Sequence, residues 1–193
     1  QAEDVSPDYE TVSRHHSFVY SWYKDEPLPE DGYYYEQQGS VYTYHPGWAW
    51  AIRREAFDHL GGLIDWAILG AADNHMARAL VGIAERSIHP KVKGPYRDMI
   101  MRWQDRATVY IKKNIGYVPG KIVHYHHGPK ASRGYWDRWN ILADYEFDPN
   151  TDLKKDWQGL HQLVVESDRQ IRLRQALRQY FRQRDEDSPV VAV

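Results

Sequence analysis

Two stretches of this 193-residue chain combine residue types that could do chemistry. The first spans 47–82 and has the sequence GWAWAIRREAFDHLGGLIDWAILGAADNHMARALVG. Small residues at 70–72 bring Asp73 to the start of a predicted helix, where a ligand can approach closely and the helix dipole favours an ionised carboxylate. An aspartate in that place also commonly serves only as an N-cap. The pattern leaves both roles open for Asp73.

The second stretch is a histidine cluster followed by two arginines: His124-Tyr125-His126-His127-Gly128, then Arg133, Tyr135 and Arg138. On a strand, His124 and His126 would share one face and His127 the other, although a turn at Gly128 could redirect His127. Neutral imidazole is a good ligand for divalent ions such as Mn²⁺, and arginine suits phosphate oxygens. The alternative is that these histidines have only structural roles beside a Gly-Pro turn.

The elements that must position these residues alternate between strand and helix patterns. Residues 1–16 are polar and are predicted to be an irregular lead-in. Strands are predicted at Ser17–Trp22, Gly47–Ile52 and Tyr117–His126, with a strand pair or flap at Tyr33–Tyr44. Helices are predicted at Arg53–Leu60, Asp73–Glu85, Arg97–Asn114, Arg133–Tyr145 and Trp157–Arg184. The alternation favours an α/β layer arrangement.

Bulk composition excludes several classes of protein. The chain has no cysteine, so disulfide scaffolds, thiol catalysis and cysteine-ligated zinc are excluded. Its formal net charge of −2 does not favour a general polyanion partner. There is no run of 18 apolar residues and no signal-peptide pattern at the N-terminus, so we expect a cytoplasmic protein without a membrane span.

The order and spacing of these motifs resemble the later catalytic motifs of GT-A-type glycosyltransferases, family-two-like members from phages and bacteria. The resemblance covers roughly the middle half of the chain and rests on four segments: Gly47-Trp48-Ala49, Arg53-Arg54, Gly61-Gly62-Leu63-Ile64-Asp65 and Gly70-Ala71-Ala72-Asp73-Asn74. It implies an α/β fold with a partial GT-A-like mixed sheet flanked by helices, and a C-terminal amphipathic helix. It also implies a metal-dependent enzyme that transfers a sugar from a nucleotide-sugar donor to a hydroxyl acceptor.

The resemblance also implies roles for single residues. Asp73 is expected to be the catalytic base, although relatives often have two successive acids where this chain has Ala72-Asp73-Asn74. His127 and then His124 are the expected ligands of Mn²⁺ or Mg²⁺. Residues expected to bind donor or acceptor are Trp48, Trp50, Trp66, Asn74, Arg133 and Arg138.

The nucleotide-binding first half of such enzymes, which ends in Asp-x-Asp, has no recognisable counterpart here. Asp185-Glu186-Asp187 has the right letters but follows a long predicted helix, so we do not expect it to bind metal. We therefore expect a GT-A-like half-domain over 1–150, completed by a missing N-terminal segment or a second chain. Residues 151–193 are expected to form a basic amphipathic helix with an acidic tail.

The C-terminal helix is the third notable feature. Six arginines lie at 169, 172, 174, 178, 182 and 184, and the expected apolar stripe consists of Leu160, Val164, Ile171, Leu177 and Phe181. A docked helix with a solvated basic face explains this pattern, and so does a surface for phosphates of nucleic acid or anionic lipid.

Three functions therefore remain: an active glycosyltransferase, a non-catalytic glycosyltransferase-like binding or structural module, and a phage glycosyltransferase that modifies hydroxylated bases in nucleic acid.

Overall fold

The computed structural model describes residues 1–26, 28, 45–128 and 130–187. These residues form a mixed α/β fold, as expected. The helices are α1 Phe18–Tyr23, α2 Arg54–Leu60, α3 Ala72–Leu80, α4 Pro95–Tyr110, α5 Trp139–Asp144, α6 Pro149–Asp152 and α7 Asp168–Gln183. The strands are β1 Ala2–Val5, β2 Thr11–His15, β3 Ile122–His124, β4 Leu153–Lys155 and β5 His161–Leu163. The strand pair expected at Tyr33–Tyr44 lies outside the described residues.

The larger sheet has the order β2-β1-β3, antiparallel between β1 and β2 and parallel between β1 and β3. Its register places Asp4 opposite both Ser13 and His124. All four residues of β1 are buried. The expectation of an irregular lead-in over 1–16 is therefore wrong. Strand β1 shows no apolar alternation in the sequence because it buries two carboxylates. These carboxylates are paired with charged and imidazole side chains.

Two of the expected strands are not strands. Ser17 accepts a hydrogen bond from the backbone N–H of Tyr20 and begins helix α1, because an N-cap serine offsets the β preference of the aromatic residues that follow. The segment Gly47–Ile52 is irregular rather than a buried strand. Trp50 is 42% exposed and Ile52 is 44% exposed. The backbone of Trp48 has φ +82°, which is incompatible with an extended strand.

The helices around Asp73 agree better with expectation. Helix α2 ends at Gly61, whose φ of +78° provides the left-handed C-cap that the Gly-Gly pair predicted. Helix α3 is shorter than the predicted Asp73–Glu85 and is followed by a separate 3₁₀ turn, Ala84–Ser87. Its N-cap is Ala71, with φ +67°, so of the two roles left open for Asp73 the structure does not support that of N-cap. Asp73 lies inside the first turn.

Later elements differ mainly in extent. Helix α4 begins at Pro95, two residues before the predicted start, because proline is well suited to the first helical position. The predicted helix Arg133–Tyr145 is reduced to α5, after a 3₁₀ turn at Lys130–Arg133. The predicted strand Tyr117–His126 is reduced to β3. Within the described residues, no helix has the length and apolar character needed to cross a membrane.

The last predicted helix, Trp157–Arg184, begins later than expected. Residues before it form the β4–β5 hairpin, and α7 starts after Ser167, which makes a capping box with Gln170. Its buried residues are Gln170, Leu173, Leu177 and Tyr180, whereas Phe181 and Leu160 of the expected stripe are exposed. The buried apolar residues of α7 pack in the same core cluster as Trp103 and Trp139.

Candidate functional site

Asp73 is brought to its position by a tight turn. Gly70 and Ala71 both have positive φ, +88° and +67°, and Ala71 is strained there because it carries a β-carbon. Oδ1 of Asp73 accepts the backbone N–H of Asn74 at 2.8 Å. Burial raises the pKa of Asp73, an effect that this hydrogen bond and the nearby Arg138 oppose only in part. Asp73 is thus a carboxylate whose surroundings disfavour its charge.

Gly47 connects Asp73 with the histidines of the sheet. A β-carbon added at Gly47 would lie 2.8 Å from Oδ2 of Asp73 and 3.1 Å from Cε1 of His45. Because Gly47 has no side chain, Asp73 and His45 can both approach its α-carbon closely. The backbone N–H of Gly47 also donates to Nδ1 of His45 at 3.0 Å.

Trp48, the residue after Gly47, contacts the second motif. Its ring centroid lies 4.2 Å from that of His45 and 4.2 Å from that of His124. His45 is itself fixed by a backbone bridge to Ser17, and its ring is 6.2 Å from that of His15. The segment that opens the first motif therefore touches the histidines of the second.

The histidines belong to a continuous hydrogen-bonded chain. Nε2 of His127 lies 2.8 Å from Nε2 of His124. Nδ1 of His124 lies 2.9 Å from Oδ1 of Asp4, and Nε2 of His15 lies 2.9 Å from Oδ2 of the same carboxylate. At the other end, Arg133 donates to Nδ1 of His127. The chain runs from Arg133 to His15 through one central carboxylate.

Nη2 of Arg133 lies near both ring nitrogens of His127, at 3.2 Å from Nε2 and closer to Nδ1, so donors and acceptors are assigned from the shorter contact. Arg133 can only donate, so Nδ1 of His127 accepts and its Nε2–H donates to His124. His124 then donates its Nδ1–H to Asp4. Burial lowers the pKa of His127, Arg133 and His124 lower it further, and Glu186 opposes them weakly. His127 is therefore neutral at neutral pH.

A divalent ion does not fit this arrangement. Among residues 1–26, 28, 45–128 and 130–187, no group of three or more His, Asp or Glu side chains could hold a metal ion. The donor chemistry agrees: Nε2 of His127 carries a proton in the assignment above, and Asp4 faces Nδ1 of His124 rather than the gap between the two imidazoles.

The remaining residues expected to bind substrate are dispersed. The ring of Trp66 packs edge-on against Tyr96 at 5.1 Å, beside the core. The side chain of Asn74 is buried and accepts from Nε of Arg78 at 3.2 Å. Trp50 is partly exposed and donates to the carbonyl of Pro46 at 2.9 Å. Of these expected tryptophans, Trp48 is the one whose ring contacts His45 and His124.

Arg133 and Arg138 both contact the hydroxyl of Tyr180, a buried residue of α7. The Tyr180 hydroxyl donates to the backbone carbonyl of Arg133 at 3.0 Å and accepts from Nη1 of Arg138 at 3.4 Å. Arg138 also stands 5.1 Å over the Tyr135 ring and lies against Gly70, at 3.4 Å from a β-carbon placed there. It thus connects the turn before Asp73 with the arginine end of the histidine chain.

Three buried donors of this region lack a protein partner. Within the described part of the chain, Nε1 of Trp48 and Nε of Arg133 and Arg138 make no hydrogen bond. Such groups are rare in native structures because each costs about 1–3 kcal/mol when left unsatisfied. They are available to an oxygen-rich ligand.

Sequence reasoning missed Asp4, His15 and His45. Asp4 lies in a polar segment without apolar alternation, and one of its partners, His124, comes from a strand 120 residues away. The available signal was the spacing of Ser13 and His15, which places both side chains on one face of β2. In the structure both contact Asp4, Ser13 at 2.7 Å and His15 at 2.9 Å.

The arginines of α7 are only partly free. Arg169 pairs with the buried Asp152, and Arg184 pairs with Glu186. Arg178 and Arg182 line a surface recess of about 490 Å³ together with three glutamines. The basic surface that remains exposed on α7 is smaller than the sequence suggested.

Comparison with protein-family profiles, with curated proteins and with solved structures found no match to this chain.

Proposed function

We propose that this chain carries the acceptor-side half of a GT-A-type glycosyltransferase, which transfers a sugar from a nucleotide-sugar donor to a hydroxyl acceptor. One observation carries the proposal: two motifs far apart in the sequence meet in space. Gly47 contacts Asp73, and the neighbouring Trp48 contacts His124. The resemblance requires this juxtaposition, because base and diphosphate must lie on either side of one sugar.

Asp73 is the proposed general base. It takes the proton of the acceptor hydroxyl while that oxygen bonds to the anomeric carbon of the donor sugar. The bond from the anomeric carbon to the phosphate oxygen breaks, and the nucleoside diphosphate leaves with the electron pair. A raised pKa makes Asp73 a stronger base than an exposed aspartate, and such tuning is typical of residues that transfer protons.

The leaving diphosphate needs compensation for its developing negative charge. Arg133 and Arg138 are the proposed source, because each has an unpaired buried Nε and Tyr180 fixes their positions. The unpaired Nε1–H of Trp48 is a further donor on the Asp73 side. Because His127 is neutral, it adds no second positive charge beside Arg133 in the absence of a bound anion.

Mn²⁺ or Mg²⁺ remains the proposed cofactor on the strength of the resemblance alone. The described residues do not complete its ligand set, so we assign no step of the transfer to it.

The test is release of nucleoside diphosphate from a panel of nucleotide sugars, measured with the 193-residue chain. Asp73→Asn is expected to abolish release. Asp98→Asn is the matched control, since Asp98 is an exposed aspartate in the first turn of α4. Equal release by wild type and Asp73→Asn would refute the proposal.

A non-catalytic binding module is the second candidate. It is favoured by the closed hydrogen-bond chain, in which His124 and His127 are paired with each other and with protein groups. Under this hypothesis the chain transfers no sugar, so no substitution changes a transfer rate. The nucleic-acid-modifying alternative depends on the exposed arginines of α7, and its test is duplex DNA binding that weakens in Arg178→Gln.

A further inference from the structure

The acidic segment Asp185-Glu186-Asp187 follows α7 and passes directly over Gly128. A β-carbon at Gly128 would lie 2.7 Å from the carbonyl oxygen of Asp185 and 2.7 Å from Cα of Glu186. Contacts below 3.0 Å with backbone atoms cannot be relieved by a side-chain rotation. The backbone of this segment thus packs against the residue that follows His127.

The same segment lies beside the cationic end of the histidine chain. Glu186 forms an ion pair with Arg184 and acts electrostatically on His127. The Arg184 guanidinium stands 6.0 Å over the ring of Tyr180, the residue that fixes Arg133 and Arg138. The Glu186 side chain is half exposed, so its charge is available but screened.

We propose that the segment Asp185–Asp187 is a built-in competitor that covers the anion-binding end of the candidate site and must move aside when a phosphate-bearing ligand binds. This inference rests on the proposed function only for the identity of that ligand. Glu186 already acts electrostatically on His127, so an anion bound beside His127 would repel it. Binding therefore displaces the carboxylates, and the covered state lowers the affinity for anions.

Gly128 allows a test that removes no charged side chain. Gly128→Ala pushes the acidic backbone away, but it also places alanine at φ +84°. Gly159→Ala is the matched control, because Gly159 has φ +81° and nothing within 4 Å of its added β-carbon. The difference between these variants isolates the contact with the acidic segment from backbone strain. Glu186→Gln removes the charge without altering either glycine.

The measurement is calorimetric titration of inorganic pyrophosphate into the 193-residue chain without added metal. We expect Gly128→Ala and Glu186→Gln to bind roughly two- to fivefold more tightly than wild type and Gly159→Ala, the range of one screened ion pair. Hydrogen exchange at the amides of 185–187 should accelerate in Gly128→Ala alone. If Gly128→Ala fails to fold, Glu186→Gln carries the test.

Equal affinities in all four proteins would overturn the inference, and so would the absence of pyrophosphate binding in every one. The outcome is separable from the proposed function. Tighter pyrophosphate binding without turnover of any nucleotide sugar supports the inference and refutes the glycosyltransferase. Turnover that depends on Asp73 but is unaffected by Gly128→Ala and Glu186→Gln does the reverse.

Discussion

Replacing Asp73 by asparagine removes a charge and keeps the shape of the side chain. The amide oxygen can still accept the backbone N–H of Asn74, which Oδ1 holds at 2.8 Å. Helix α3 keeps its N-cap, because that residue is Ala71. The substitution therefore changes the ionisation of one partly buried group and little else.

The sign of the stability change follows from the direction of the pKa. The pKa of Asp73 is raised by burial, and it lies above its unfolded value of about 3.9. Such a group contributes its full stability below the unfolded pKa, where it is protonated in both states, and loses it as pH rises through the folded pKa. One pKa unit corresponds to about 1.4 kcal/mol. Asp73→Asn should therefore match the stability of wild type most closely in acid and should be more stable than wild type at neutral pH.

Urea unfolding at a series of pH values from 4 to 8 measures this difference, with Asp98→Asn as the control whose profile should stay parallel to wild type. In parallel, transfer activity should fall by about 10²–10⁴-fold, the usual contribution of a general base. A variant that is less stable than wild type at neutral pH would show that Asp73 is a structural residue. A variant with full activity would remove it from the chemistry.

Three further predictions follow from other contacts. Asp152→Asn should lower the free energy of unfolding by about 2 kcal/mol at pH 7, because it leaves Arg169 without its buried partner. Burial opposes ionisation of Asp152, but hydrogen bonds from Arg169 and others hold its pKa below the ordinary value, so this stabilisation disappears as pH falls through the folded pKa, and acid unfolding of wild type measures it. Tyr180→Phe should weaken pyrophosphate binding severalfold in calorimetry while the melting temperature falls only slightly, because Arg138 loses a hydrogen bond; unchanged affinity would exclude the positioning role. Mn²⁺ alone should bind weakly or not at all in calorimetry, and micromolar binding that His127→Ala abolishes would show that the described arrangement rearranges around the ion.

Short-range signals in the sequence were sufficient for part of the fold and of the candidate site. Helix α2 and its end at Gly61 were predicted because a left-handed C-cap requires glycine. The placement of Asp73 at the start of a helix was also predicted, because the small residues at 70–72 indicate a tight turn. The grouping of His124, His127 and Arg133 was also predicted, since these residues lie within ten positions of one another.

Errors arose where tertiary contacts override local preference. Gly47–Ile52 has the composition of a buried strand, yet the positive φ of Trp48 and the contacts of its ring with His45 and His124 hold it irregular. The strand that carries Asp4 was missed for the opposite reason. Its carboxylates are buried against partners from β2 and from the distant strand β3, and the pairing with β3 leaves no local pattern in the sequence.

The sequence by itself determined which side chains capable of chemistry this protein has, the caps and turns that present Asp73, and the α/β character of the chain. Only the tertiary structure decided that Asp4, 120 residues before His124, joins the histidines through the parallel register of β1 and β3. It also placed Asp73 against Gly47, and it placed the acidic segment after α7 over Gly128. The physical reason is range: propensities and caps act over a few residues, whereas these contacts depend on how strands pair and where a missing β-carbon lets backbones meet.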